Sequence, residues 1–474
     1  MNHKDFISKA KSMLIAPAGH GKTHSIAECL NYTTGKQLIL THTHAGVSSI
    51  NEKIKKAKFP SQIFHVETIT GYAQKYMQAY YIGADIPDRE DSGAYYSFLI
   101  EKAKKIIAIP IITKTIKASY SGLFVDEYQD CTLQQHEFIS ILSEILPTRI
   151  LGDPLQGIFN FNGTIPMVDL NDKDHMGEFH NNKYKLEEPW RWKGINEPLG
   201  KALKEIRLEI ESQKPIDLKN YPAVEYIQVA SDTDLYNPKK KYYIDINKLL
   251  KEKSLLIIHS VSSSIHPRKK VVANFKIPIT LVEAIDDNTF YELAKLFDDI
   301  KNKPLEKIIY KVCITLFNKT EINKWLNEKG AIKRTKEWKV GADILIQMFT
   351  QVQIDQPYLK CAKLLRYISN LEKIRCYRRE LLNSLCAALE EAAANNKPVY
   401  ETMIDKRNHV RKIGRKVYGR CIGTTLLIKG LEFETVAILN AHQFECPKNL
   451  YVALTRASKR LIVFGNSSIL SPKY

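Results

Sequence analysis

The chain has no apolar run near the roughly 18 residues that cross a bilayer. Its start, MNHKDFISKAKS, holds no apolar core of the signal-peptide kind. These two absences predict a soluble, cytoplasmic protein with no membrane partner. The eight cysteines form no C-x-x-C pair and have no histidine at finger spacing, which argues against a zinc site and a disulfide framework. Internal repeats and low-complexity segments are also missing. Acidic charge is comparatively scarce: 52 Asp and Glu stand against 70 Lys and Arg, a net charge of +18. An excess of that size calls for a polyanionic partner, most often nucleic acid, with lipid headgroups as the other option. At 474 residues and 44% apolar content, the chain can fill two or three globular cores.

The segment MLIAPAGHGKTHSIAECL, near the start, reads as a short buried strand at Met13–Ile15, a loop, and a helix from Ser25 onward. Ala16 to Thr23 fits the [AG]-x-x-x-x-G-K-[ST] phosphate loop. In such a loop Gly19 and Gly21 let backbone amides approach an anion. Lys22 reaches the β and γ phosphates, and the Thr23 hydroxyl holds Mg2+. The stretch LFVDEYQDCTLQQ raises a complementary question, because the strand Leu123–Val125 ends in carboxylates. Downstream of a phosphate loop, Asp126 is placed to hold the Mg2+ of MgATP and Glu127 to orient and deprotonate the attacking water. The alternative is that the two acids cap the next helix.

Further segments extend the pattern. Arg149–Leu151 leads into GDPLQGIFNFNG, where Gln156 can sense a γ phosphate, while Phe159 and Phe161 offer either stacking faces or core packing. PWRW places Arg191 between two tryptophans, and IKGLEF and YVALTRA follow near the end. In this order the segments resemble the motif set of superfamily 1A DNA helicases of the UvrD, Rep and PcrA type, whose patterns run DExxQD, GDxxQSIYxFRGA, NYRS, KGLEF and YVALTRA. The resemblance spans residues 13 to 465 and is dense only in the motifs.

The fold it implies is α/β, with two RecA-like parallel-sheet motor domains and helical insertions. It implies that Lys22, Thr23, Asp126, Glu127, Gln156, Arg191, Gly430, Glu432 and Arg456 carry ATP binding and hydrolysis. Arg191 and Arg456 match the arginines that stabilise the γ phosphate from the second domain, and Glu432 matches a ribose contact. Thr41-to-Ile54 and the segment from Thr68 resemble DNA-contact elements, so Thr41, Thr43, Thr68 and Thr70 are candidate phosphate contacts or, equally, helix caps. Phe161 stands where relatives place a base-stacking aromatic.

Departures from the family pattern carry expectations of their own. No Gln occurs before Gln37, so the adenine-reading glutamine of relatives has no counterpart. His24 stands where an Arg often flanks the base, and Trp190 replaces a Tyr, which predicts modest discrimination among purines. Asn162 replaces an Arg, and Thr70 and Leu426 replace histidines, which predicts looser coupling of ATP turnover to strand movement.

The expected organisation is a first motor domain at 1–80 and 119–180 with a small helical insertion at 81–118. A second motor domain follows at 181–300 and 411–474, interrupted by a helical insertion at 301–410. The run KRNHVRKIGRKVYGR, with Arg411 and Arg415, is either a solvated face or a phosphate-backbone contact. The chain is expected to leave no room for a nuclease domain. Together these readings describe an ATP- and Mg2+-dependent DNA translocase or helicase acting on single-stranded DNA or single-stranded ends, 3′ to 5′ by resemblance. The compact form is similar to stand-alone UvrD-like proteins paired with OLD-family nucleases, such as the helicase-like subunit of Gabija antiviral defence. The competing reading is a slow ATPase that acts as a nucleotide- or DNA-end-sensing regulatory subunit of a nuclease.

Overall fold

Two six-stranded parallel sheets organise the molecule, a computed structural model that describes residues 1–87, 92–159, 165–284, 287–300, 302–333, 339–354, 357–413 and 417–474. The first sheet contains β1 (Lys11–Ile15), β2 (Gln37–Thr41), β3 (Phe64–Thr68), β4 (Gly122–Val125), β5 (Thr148–Gly152) and β6 (Lys183–Lys185), in the order β3-β2-β4-β5-β1-β6. Its central strands are continuous apolar runs because both faces are covered. Alternate residues Met13, Leu40, Val125 and Ile150 pack under the helices Ile69–Tyr80, Ser92–Ile107, Pro110–Ser119 and Leu133–Ile145. Leu14, Ile39, Phe124 and Leu151 pack on the other face, against Lys22–Cys29 and His44–Lys56.

The short β7 (Ile216–Asp217) pairs with β14 (Ile469–Leu470) in an antiparallel ribbon. The second parallel sheet holds β8 (Val224–Gln228), β9 (Leu255–His259), β10 (Thr280–Leu281), β11 (Arg420–Gly423), β12 (Phe433–Leu439) and β13 (Ala457–Gly465), in the order β10-β11-β9-β12-β13-β8. Leu256, Val436 and Val463 face the helices Glu197–Glu211 and Pro447–Leu454. Their neighbours Ile257, Ala437 and Phe464 face Lys241–Leu249 and His266–Asn274.

β6, at 183–185, falls in the range expected of the second unit, yet it pairs with Met13–Ile15 of β1 and completes the first sheet. That pairing satisfies backbone groups on the outer side of β1. The helices of 81–118 bury Leu99, Ile100, Ala103, Ile107 and Ile116 in the first sheet's own core. A separate all-helical core begins at Phe290 and runs through the helices from Asn288–Asp298 to Val399–Ile413. It is joined to the second sheet by buried Arg378, which pairs with Glu283 and, at 2.8 Å, with Asp287. Among the described residues, no helix is long and apolar enough to cross a membrane.

Candidate nucleotide site and nucleic-acid interface

The loop after β1 takes its course from backbone conformation. Ala16 donates its N–H to the Gly152 carbonyl at 2.9 Å, and Gly19 and Gly21 take φ of 74° and 88°, a region that side chains disfavour. A Cβ on Gly19 would also lie 2.6 Å from the Trp192 ring. Gly21 then caps the helix Lys22–Cys29 without a side-chain hydrogen bond, so no side chain competes for the first amides.

Lys22 projects from this helix to the end of β4. Its ammonium lies 3.2 Å from Asp126 Oδ1 and 2.6 Å from Glu127 Oε1. Burial opposes that charge, but the two carboxylates outweigh burial and raise the Lys22 pKa. Burial pushes the Asp126 carboxyl up against the pull of Lys22. For Glu127 the balance reverses: burial raises it, while Lys22 and Lys429 hold it down at about 2. Glu127 occupies the left-handed region with φ 56°, where a non-glycine residue is uncommon and strained. Gln129 Nε2 donates to its Oε2 at 2.5 Å and fixes the carboxylate's direction. Asp130, raised to about 7 by burial against the pull of Lys429, accepts from Lys429 Nζ at 2.6 Å. The same ammonium donates to the Gln156 carbonyl at 2.6 Å.

The second unit faces this cluster with two guanidinium groups. Arg191 donates to Glu432 and to the Thr455 carbonyl, while its buried Nε has no hydrogen-bond partner. Arg456, fully buried and pulled down to about 10 by burial and by the neighbouring Arg191, donates to the Val452 carbonyl at 2.9 Å and reaches Gln156 Oε1 at 3.5 Å. Glu432 is held below the usual carboxylate range: burial opposes this, and Arg191 outweighs it. Trp190 is exposed, 3.4 Å from where a Gly21 Cβ would stand, with Lys193 4.2 Å above its ring. Gly430 has φ 81° and open space at its Cβ position. Thr23 is partly buried, whereas His24 is exposed and faces Glu28 at 3.6 Å. The adjacent His42 bonds Cys131 Sγ at 3.3 Å and is lowered to about 3, chiefly by burial.

These residues suit a nucleoside triphosphate with Mg2+. Lys22, an orphaned buried Arg191 nitrogen and Arg456 supply cationic donors, and Gly19 and Gly21 form the cradle. Among the described residues no group of three or more His, Cys, Asp and Glu could hold a metal by itself. Mg2+ shared between a carboxylate, a hydroxyl and substrate phosphates needs no such group. Asp126 and Thr23 would hold it.

The four candidate threonines gather at the C-terminal ends of the neighbouring strands β2 and β3, where Thr41 pairs in register with Thr68. Thr43 and Thr68 are helix caps, accepting from the N–H of Gly46 and Gly71 at 3.0 and 2.9 Å. Thr41 is buried with an unpartnered hydroxyl, and Thr70 is partly buried. Phe161 and Arg415, together with the side chain of Arg411, lie outside the described residues. Several participants escaped the sequence reading. Lys429 and Gln129 lie inside quoted motifs, where their types alone signal donors. Asp153, Arg207 and Tyr451 become neighbours only through packing between the units.

None of the curated proteins matches the chain. Among solved structures, the arterivirus nonstructural protein 10 helicase, in complex with DNA, is 12% identical with a TM-score of 0.34. The similarity covers 97% of this chain and 62% of that one, less than two thirds of the viral protein's length. Residues 91–176 match the UvrD/REP helicase N-terminal domain family. That match takes in the Asp126–Glu127 strand end and the Gln156 turn, both supplied by the first sheet, and shows that this segment is similar to that domain family.

Proposed function

We propose that the protein is an ATP-dependent DNA translocase or helicase that turns over MgATP in the cleft between its two parallel-sheet units. The observation that carries this reading is the meeting of two half-sites. Lys22, Asp126, Glu127 and Gln156 come from the first sheet, and Arg191 and Arg456 come from the second, with Arg456 touching Gln156. A phosphoryl group spreads charge over its equatorial oxygens as it transfers, and converging guanidinium forks stabilise that charge. Mg2+, which Asp126 and Thr23 would hold, would supply counter-charge to the phosphates.

The protein's own groups divide the remaining work. Lys22, paired with carboxylates here, would exchange them for phosphate oxygens. Loss of that ammonium from Glu127 raises the carboxylate's basicity, so Glu127 becomes a better acceptor for the water proton when nucleotide is in place. The Gln129 amide keeps Glu127 oriented throughout. Because the site spans both units, nucleotide binding favours the closed cleft and product release relaxes it. Such cycling moves single-stranded DNA held along the first unit's helix ends. The 3′ to 5′ direction, a role in phage defence or repair, and a nuclease partner of the OLD family rest on the motif resemblance.

The test is ATP turnover with and without single-stranded DNA, together with unwinding of partial duplexes. We expect DNA-stimulated turnover. A chain that hydrolyses ATP slowly and neither binds nor responds to DNA would replace the translocase reading with that of a regulatory subunit.

A further inference from the structure

Three buried polar side chains outside the predicted set meet where the helix Pro447–Leu454 packs against the turn Pro154–Gln156. Asp153, fully buried after β5, faces Arg207 Nη1 at 2.8 Å. Arg207 belongs to the helix Glu197–Glu211 of the second unit, and its Nε is taken by Glu211 at 2.8 Å. The same Arg207 Nη1 donates to the Tyr451 hydroxyl at 2.9 Å, and its guanidinium lies 5.1 Å from the tyrosine ring centroid. The hydroxyl also accepts from the Ala18 N–H at 3.2 Å. Ala18 is the third residue of the phosphate loop and is itself buried.

We propose that Tyr451 is a positioning residue for the nucleotide: its hydroxyl holds the Ala18 end of the phosphate loop from the second unit, and the Asp153–Arg207 ion pair orients that hydroxyl. The inference rests on the nucleotide site proposed above. A phosphate loop binds through amides set in direction before the ligand arrives, and each peptide plane that turns away loses a donor. The bond fixes the Pro17–Ala18 peptide, one end of the segment that leads into Gly19, whose permissive backbone leaves the following planes free to turn. The Tyr451 hydroxyl stays neutral, since burial and the nearby Asp153 push its ionisation up to about 12, so it remains a hydrogen-bonding phenol. The same cluster reaches the hydrolytic side. Asp153 Oδ2 accepts from Gln156 Nε2 at 2.7 Å, and the Asp153 N–H donates to Gln129 Oε1 at 3.0 Å. One joint therefore touches the loop that cradles phosphate and the turn that senses it.

The test compares Tyr451→Phe and Arg207→Lys with the full wild-type chain. Equilibrium binding of a fluorescent ATP analogue, steady-state ATP turnover and melting temperature are the readouts. Tyr451→Phe keeps the ring beneath Arg207 and removes only the acceptor. We expect Kd and KM for MgATP to rise about five- to tenfold, the scale of one net hydrogen bond, with kcat at saturation retained. Arg207→Lys keeps the charge opposite Asp153 but loses the fork. It should shift KM in the same direction, and the double variant should be no worse than the more affected single one. A purely structural joint would lower the melting temperature and the active fraction while leaving KM in place. That result, or additive effects in the double variant, would overturn the inference. If wild-type protein binds MgATP and Tyr451→Phe binds it equally, the inference alone fails. If wild-type protein has no affinity for MgATP, the proposed function fails and the inference goes with it.

Discussion

Glu127 is strained in its backbone, held by Gln129 and suppressed in basicity by Lys22. If it accepts the water proton, Glu127→Gln keeps shape and nucleotide affinity but loses turnover by about a hundredfold or more, the usual scale for a general base. Single-turnover hydrolysis measured beside nucleotide binding checks this. Lys22→Ala, in contrast, should remove binding itself and leave the two carboxylates without their counter-ion; isothermal titration with MgATP distinguishes the two variants. His42 gives a pH prediction. Its folded pKa, lowered to about 3 from the ordinary 6.5 mainly by burial, means that the unfolded chain binds the extra proton first. The neutral form's contribution is complete above pH 6.5 and is lost as pH falls towards 3, at about 1.4 kcal/mol per pH unit. His42→Phe should flatten urea-derived stability against pH in that window, and an unchanged slope would assign acid sensitivity elsewhere.

At the scale of elements, the phosphate loop and the helix caps make separable demands. Gly19→Ala meets both a positive φ and the Trp192 ring. The loop cannot relax without moving a fully buried tryptophan that donates to the Ala457 carbonyl at 2.8 Å. We expect the substitution to weaken nucleotide binding and to lower the melting temperature together. Thr43 caps the helix His44–Lys56 with its oxygen, so Thr43→Ala should cost about 1 kcal/mol of stability, while Thr43→Ser restores the cap. If the hydroxyl also meets a DNA phosphate, the alanine variant loses DNA affinity and serine recovers it. Recovery of stability without recovery of binding would leave Thr43 as a cap only.

For the molecule as a whole, the decisive quantities are its charge and the meeting of the two units at Gln156 and Arg456. A net charge of +18 predicts that single-stranded DNA affinity falls steeply with salt. Anisotropy titrations at several salt concentrations read the slope. Arg411→Ala with Arg415→Ala should flatten it, whereas Phe161→Ala should weaken binding by about 1 to 3 kcal/mol with the slope intact. A binding constant insensitive to salt would remove phosphate neutralisation as the basis of recognition.

The two parallel sheets were legible in the sequence because their central strands are apolar throughout and alternate with helical spacing, as at Met13–Ile15 and Leu123–Val125. The placement of Lys22 opposite Asp126 and Glu127 was legible for a related reason: local backbone order alone sets glycines and a lysine after one strand and carboxylates at the end of another. The sequence by itself thus determined which residue types stand at each half of the site. Only tertiary structure decided what lies between the halves. β6 joins the first sheet because β1 has an edge to fill, not because Lys183–Lys185 carries a strand signature. Lys429 reaches Asp130, and Arg207 joins Asp153 to Tyr451 and so to Ala18, across separations that are mostly of hundreds of residues. Such buried charges are stable only when paired, and the pairing depends on how two separately cored units dock, which no local pattern encodes.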